Sequence, residues 1–421
     1  MAIIRILRSS NARAVSALID KRPASDPALE RRVRTIVERV RRDGDSALAS
    51  YARAFDGLEG PIEIDRDEID ESARIVSADV RRAIRFAARN IRSVARSQRP
   101  RTWTVRPVAG VSIEQRVVPL DRVGCYVPGG RYPLPSSLLM TAIPARVAGV
   151  PEVIAMCPKP DPTVLYAARV AGVSRLFRVG GAHAIAAMAY GTSTVPPVDR
   201  IVGPGNAYVA AAKALVAKDC AIDFFAGPSE IAVLSTTGKP AWIAADLIAQ
   251  AEHDPHARAI LITPRKALAD AVARAIERQV PSQGPAREAL ASHGGIIVTR
   301  NLAEAVALMQ RLAPEHAVCD SDAVAARITR AGTVFVGSFS AQASGDYVTG
   351  SNHVLPTAGA AAARGGLSTA DFVRISSVQR ISSAGLHRIA PAGIALATAE
   401  GLQAHADSLR IRTRETSRPR S

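Results

Sequence analysis

Four groups of side chains in this sequence have the types and spacing that chemistry requires. Gln250 and His253 stand three apart in the run QAEHDPH. On a helix they project from one face. An amide oxygen and an imidazole can share a divalent metal, and Asp254-Pro255 ends the helix beside them at an open edge. A solvated helix end would produce the same letters, since QxxH lacks the specificity of HExxH. Glu315 and His316 follow Pro314. A carboxylate can polarise water while an imidazole takes a proton near neutral pH. Strand neighbours point to opposite faces, so for these two to share one site the chain must turn, and Pro314 allows it; an ordinary loop pair is the alternative. The stretch 337–357, GSFSAQASGDYVTGSNHVLPT, holds Asp346, Tyr347, Asn352 and His353 in a loop too long to be a plain connection. Asp346 is a candidate third metal ligand. Glu400 and His405 lie five apart near the C-terminus, about 140° around an ideal helix; an exposed helix surface explains them equally simply.

Three glycine turns, Gly129-Gly130, Gly180-Gly181 and Gly203-Pro204-Gly205, each follow a predicted strand. Ligands of open α/β sheets bind beyond the carboxyl ends of strands. Glycine lets backbone approach a phosphate, and a helix N-terminus favours negative charge. A dinucleotide fits that pattern, but no GxGxxG followed by an acidic residue is present, and ordinary tight turns account for the glycines taken alone.

The elements that must position these groups alternate. The first hundred residues read as helices, with apolar Leu29, Val33, Ile36 and Val40 on one and Ile84, Ala87, Ala88 and Ile91 on another. A hairpin around Ala109-Gly110 follows. From Arg122 the pattern is strand, glycine turn, helix, repeated to Val216, and a second such set runs from Glu230 to Val336. That alternation predicts parallel strands with crossover helices. The chain past about Ala370 reads as helical, ending in a frayed polar tail. The expected fold is α/β, with two related open, incomplete Rossmann-like units, parallel-rich sheets, and helical N-terminal and C-terminal segments.

Composition narrows the function classes. The chain has 421 residues, 48% hydrophobic and 22% charged, the balance of a globular protein of two or three domains. No run of about 18 apolar residues and no signal-peptide pattern occurs. Cys125, Cys157, Cys220 and Cys319 are far apart and without CxxC spacing, so reduced, buried thiols and a cytoplasmic location are expected. The net charge of +16 suits anionic ligands such as dinucleotides, or nucleic acid. The arginines, however, are interleaved with Asp and Glu on helix faces, and no recognised nucleic-acid module accompanies them.

Together these stretches resemble histidinol dehydrogenase. The resemblance is carried, in family order over about residues 25–410, by YVPGG from Tyr126 with PSSLLMTAIPARVAG, GGAHAIAA from Gly180, GPGNAYV from Gly203, DFFAGPSE from Asp223, DLIAQAEHDP from Asp246, PEH from Pro314, GDYVTGSNHVLPT from Gly345 and EGLQAH from Glu400. It implies a zinc site of Gln250, His253, Asp346 and His405, for which Mn²⁺ or Co²⁺ could substitute. It implies oxidation of L-histidinol to L-histidine by two NAD⁺ through a bound aldehyde, with His316 as proton acceptor and Glu315 activating water. The substrate would meet Ser229, Gln250, His253, His316, Asp346, Glu400 and His405. NAD would meet Tyr126, residue 183 and Asn206; His183 stands here where the family usually has Gln. The resemblance further implies a homodimer whose C-terminal segment completes the partner's site, with no nucleic-acid or membrane partner. Its domain organisation would be an N-terminal segment 1–24, a metal and substrate domain from 25–124 and 231–366, an NAD domain 125–230 and a helical dimerisation segment 367–421. A paralogous zinc/NAD dehydrogenase of another small alcohol or diol, such as a sulfonated diol, is the alternative.

Overall fold

A computed structural model describes residues 3–20, 26–129, 132–225 and 227–415. The chain divides into a larger unit, residues 1–98 with 120–372, and a smaller one, 99–119 with 373–421. Gly130 lies outside the described residues.

The larger unit is built on two six-stranded sheets. The first is wholly parallel, in the order Ile6–Arg8, Gly295–Val298, Arg258–Thr263, Glu230–Leu234, His316–Cys319, Thr333–Val336. The second runs Glu63–Ile64, Arg175–Phe177, Glu152–Met156, Arg122–Tyr126, Arg200–Val202, Ala221–Ile222, parallel except for the short Glu63–Ile64 edge. Taken in chain order, five strands of each sheet follow the sequence 3-2-1-4-5 of doubly wound α/β sheets, with one extra strand beyond the third. Helices cover both faces, so the central strands are buried on both sides and read as unbroken apolar runs such as AILI and VIAM.

Crossover helices begin and end where local chemistry dictates. Asp161 caps Pro162–Ala171 through the Thr163 amide, Pro162 supplies the preset φ of the first turn, and Gly172 closes it at φ 78°. The apolar stripe Val33, Val37 and Val40 of helix Pro27–Asp43 packs into the core around Ile154, Ile185 and Val209, on the second sheet. The stretch 25–124 is thus shared out: its first helices cover the second sheet, and its hairpin belongs to the smaller unit.

Among the stretches that differ from the sequence reading, two are strands paired to distant partners. The N-terminal segment 1–24, expected to be helical, contributes Ile6–Arg8 as an edge strand paired to Ile296–Val298. Three residues are too short to show a period, and their partner lies almost 300 positions away. Residues 373–381, expected to be helical, form a nine-residue strand antiparallel to Val111–Pro119. It carries four β-branched residues, Val373, Ile375, Val378 and Ile381, and ladder pairing outweighs helical propensity. Helices Ser383–Ala399 and Gln403–Glu415 follow it and pack together. In this smaller unit Gly110, at φ 86°, lets the hairpin touch the backbone of Gly385. Leu396, Leu402, Ile411 and Ile375 of the unit are exposed.

Candidate active site and glycine-turn face

The acid–base pair comes from the amino ends of the first sheet. Ala313, at φ 46°, ends helix Leu302–Leu312 in the left-handed conformation, and Pro314 redirects the chain into the strand that opens at His316. That bend brings both side chains to one place. Glu315 Oε2 accepts a hydrogen bond from the Glu230 amide at 2.8 Å, and His316 Nδ1 lies 3.2 Å from the Glu230 carbonyl. Glu315 Oε2 and His316 Nδ1 are 3.8 Å apart. Both residues are buried. Burial pushes the Glu315 carboxyl up to about 7, partly opposed by the neighbouring His316. Burial works against the His316 cation, but Glu315 and Asp346 outweigh it and raise its pKa.

Across the ring, Gln342 Nε2 lies 3.4 Å from His316 Nε2, and Asp346 Oδ1 is 3.6 Å from that same nitrogen. Gln342 also donates to Asp346 Oδ2 at 2.6 Å. Nδ1–H donated to the Glu230 carbonyl leaves Nε2 as the acceptor, so the ring presents its basic nitrogen toward Asp346. Gln342 and Asp346 share one face because residues 342–347 form a short helix inside what reads as a loop in the sequence. Asp346 is buried, which alone would raise its pKa; His316 beside it, with His353 and His253 nearby, holds it below the ordinary carboxylate range. Burial conversely lowers the pKa of His353, whose Nδ1 meets the Asp346 carbonyl at 2.8 Å.

Gln250 occupies the last turn of helix Pro240–Ala251, and His253 lies just past its cap, exposed. Gln250 is 1% exposed, and its Oε1 is buried without a hydrogen-bond partner. An orphaned acceptor of this kind is costly unless something outside the chain satisfies it. Gln250, His253 and Asp346 carry oxygen and nitrogen donors, and carboxylate oxygen and imidazole nitrogen are types that zinc takes. Among the described residues no three His, Cys, Asp or Glu cluster around one point. His253 and Asp346 supply only two of those types, and Gln250 is an amide. His405 and Glu400 belong to the smaller unit, where both are exposed. Ser229 lies half-buried just before the Glu230 strand.

Glu230 and Gln342 were not singled out from the sequence. Glu230 is buried and paired with Arg258 at 2.8 Å, and its backbone holds both members of the acid–base pair. PSE ending at a strand start carries no signal for that role. Gln342, four before Asp346, would have been legible had the helix been recognised.

The glycine turns do lie at carboxyl ends, in the second sheet. Here they serve close packing: a Cβ on Gly129 would overlap the Pro158 carbonyl, one on Gly180 the Pro158 ring, and one on Gly203 the Tyr126 carbonyl. Tyr126 is buried, its Oη accepting from the Gly181 amide at 3.1 Å. His183 is buried, with Nε2 2.8 Å from Asp56 Oδ2. Asn206 is exposed and caps helix Ala207–Val216 through the Tyr208 and Val209 amides. Beneath the third turn, Asp223 accepts the Gly203 amide at 2.8 Å and pairs with buried Lys213. A cavity of about 360 Å³ opens beside Gly129, with Phe55, Asp56, Tyr132 and Lys159 in its wall.

The two faces meet through residues 352–357. Asn352 donates to the Met140 carbonyl at 2.7 Å, and His353 Nε2 lies 3.4 Å from Ser137 Oγ. Both contacts fall on helix Pro135–Ala148, the crossover that follows the Gly129 turn.

Comparison with known proteins identifies the family. The family model for histidinol dehydrogenase matches residues 20–413. Histidinol dehydrogenase of Rhizobium meliloti is 46% identical over 394 residues, covering 90% of this chain and 91% of its own. That of Gluconobacter oxydans is 46% identical over 408 residues, covering 93% and 94%. The crystal structure of histidinol dehydrogenase from Elizabethkingia anophelis superposes with a TM-score of 0.95 at 32% identity, covering 99% of this chain and all of that one.

Proposed function

Because the chain belongs to the histidinol dehydrogenase family, we propose that the Glu315–His316 pair performs the proton chemistry of an NAD-dependent oxidation of L-histidinol. The family oxidises histidinol to histidine at the end of histidine biosynthesis. The overall change is L-histidinol, two NAD⁺ and water giving L-histidine, two NADH and three protons. The alternative, a paralogous dehydrogenase of another small alcohol or diol, is not favoured, since the curated relatives carry the histidinol name.

The observation that carries the residue assignment is the shared anchoring of Glu315 and His316 on the Glu230 backbone. His316 Nε2 takes the alcohol proton as the carbinol hydrogen leaves as hydride. The Nδ1 contact with the Glu230 carbonyl and the Gln342 contact at Nε2 orient the ring for this. Glu315, with its pKa raised to about 7, removes a proton from the water that adds to the aldehyde. His316 then takes the hydroxyl proton of the hydrate in the second oxidation.

Gln250, His253, Asp346 and His405 would hold zinc, and the unpartnered Gln250 oxygen supports that assignment. When bound, zinc would fix the substrate's imidazole and amino nitrogens as a Lewis acid, and NAD⁺ would accept hydride. Tyr126, His183 and Asn206 would form the NAD face. Ser229 and Glu400 would bind substrate, the Glu400 carboxylate meeting the ammonium group. The enzyme would act as a cytoplasmic homodimer, each C-terminal segment completing the partner's site. The exposed Leu396, Leu402 and Ile411 of that segment support burial against a second copy, and the four free, buried cysteines suit a reducing compartment.

The test is NADH counted per histidinol consumed, with and without chelator. Two are expected, falling to none once zinc is stripped. One per histidinol, or chelator-insensitive turnover, would reject the assignment.

A further inference from the structure

Asp56 ends the single π-helical turn Ala52–Asp56, immediately before Gly57 at φ 63°. Such turns recur where a side chain must be re-aimed. One oxygen of this carboxylate, Oδ2, accepts two hydrogen bonds from the second sheet: the Gly180 amide at 2.9 Å and His183 Nε2 at 2.8 Å. The next amide, Gly181, donates to Tyr126 Oη. Consecutive amides of one turn are therefore tied down by two side chains from elsewhere in the fold. Gly180 is the N-cap of helix Gly181–Tyr190 and has no side chain to cap with. Asp56 accepts the amide of the N-cap residue itself, the role a capping-box carboxylate plays, and places negative charge at the helix N-terminus, where it is stabilising.

The same contact decides what His183 offers. With Nε2–H donated to Asp56, the neutral ring keeps Nδ1 as an acceptor. That edge, Nδ1 with Cε1, lies against Gly181, and the rings of Tyr51 and Phe55 stand 6.0 and 6.1 Å from the imidazole. Without Asp56 nothing among its described contacts would select this tautomer.

We propose that Asp56 is a positioning residue of the dinucleotide site, fixing the Gly180-Gly181 turn and setting the His183 ring so that Nδ1 faces it. This rests on the assignment of NAD to the face of Tyr126, His183 and Asn206. Asp56 acts through the turn and the ring. Because a single oxygen serves both donors, its position matters more to the dinucleotide site than the charge it places at the helix N-terminus.

The test is NADH binding to the full-length, zinc-loaded enzyme, measured by fluorescence titration without substrate, alongside KM for histidinol. Asp56→Asn keeps an oxygen in place and should hold the NADH Kd within about threefold of the parent, whereas Asp56→Glu keeps the charge, displaces the oxygen and should weaken binding about tenfold. Asp56→Ala should match the Glu variant, and adding His183→Ala to it should cost no more than about a further twofold, since both act through one contact. KM for histidinol should stay unchanged throughout. A near-parental Glu variant with a weak Asn variant would overturn the proposal in favour of simple charge. So would unchanged NADH affinity in Asp56→Glu and Asp56→Ala while Asn206→Ala loses it, leaving the NAD face intact. If Asn206→Ala, Tyr126→Phe and the Asp56 variants all bind NADH normally, the NAD assignment fails together with the proposal.

Discussion

Replacing Glu315 by Gln separates the chemistry of this side chain from its burden on the fold. The amide keeps the size and an oxygen that can accept the Glu230 amide, but it cannot take a proton. Burial raises the Glu315 carboxyl from its ordinary value of 4.5 to about 7. That rise of about 2.5 on the pH scale corresponds to about 3 kcal/mol between the protonated and ionised folded states. His316 and the hydrogen bond from the Glu230 amide work against the rise, while the carboxylates of Glu230, itself paired to Arg258, and Asp346 add to it. A folded-state pKa above the unfolded one means that the contribution to stability is present below about 4.5 and is lost as pH rises through about 7. In metal-free protein, Glu315→Gln should therefore lie within about 1 kcal/mol of the parent near pH 5 and exceed its stability by up to about 3 kcal/mol at pH 8, a gap of several degrees in Tm. Activity should move the other way. Oxidation of histidinal should fall by about 10²- to 10⁴-fold, the usual worth of a general base, and histidinol oxidation by much less. NADH per histidinol then drifts from two toward one. In the parent the aldehyde step should rise with pH, since the base acts when ionised; the zinc charge sets the midpoint of the loaded enzyme below about 7. Thermal scans of apo protein across pH 5–8, with half-reactions run separately on histidinol and histidinal, check both arms. A Tm gap independent of pH, together with equal slowing of the two half-reactions, would refute the assignment of Glu315 as the buried base.

Other expectations follow from the same geometry. His253→Ala should lower bound zinc and turnover together, and Gln250→Met should do the same while leaving the apo-protein at least as stable, because the orphaned amide oxygen is gone. Full zinc stoichiometry by elemental analysis in either variant would dismiss that residue as a ligand. Lys213→Met leaves Asp223 charged and buried beneath the Gly203 turn and should cost about 3–5 kcal/mol of stability in denaturant unfolding; a midpoint close to the parent's would contradict the pairing. Mixing inactive His316→Ala and His405→Ala proteins under subunit exchange should restore about a quarter of parental activity if each C-terminal segment serves its partner's site. No recovery after exchange argues that each chain completes its own site.

Much of the layout was legible before any coordinates. Parallel sheets buried on both faces leave apolar runs separated by glycine turns and amphipathic helices, so four strands of each sheet could be read locally. The QxxH run, the Glu315–His316 pair and Asp346 were legible as chemistry by type alone. Packing decided the rest. The 342–347 helix lies in a stretch rich in Gly and Ser, with no periodicity to announce it, yet it brings Gln342 and Asp346 to one ring nitrogen of His316. Ile6–Arg8 and Val373–Ile381 are strands because of partners roughly 290 and 260 residues away, which no local window contains. The edge of the sheet that carries the chemistry was also a tertiary outcome. The carboxyl-end rule pointed to the glycine turns, which follow the carboxyl ends of strands in the second sheet. In the first sheet Glu230 and His316 each open a strand, so the reactive groups gather at the amino ends. Sequence fixes which residues alternate along an element; which end of the element faces a neighbour is settled only when distant helices and loops close over it.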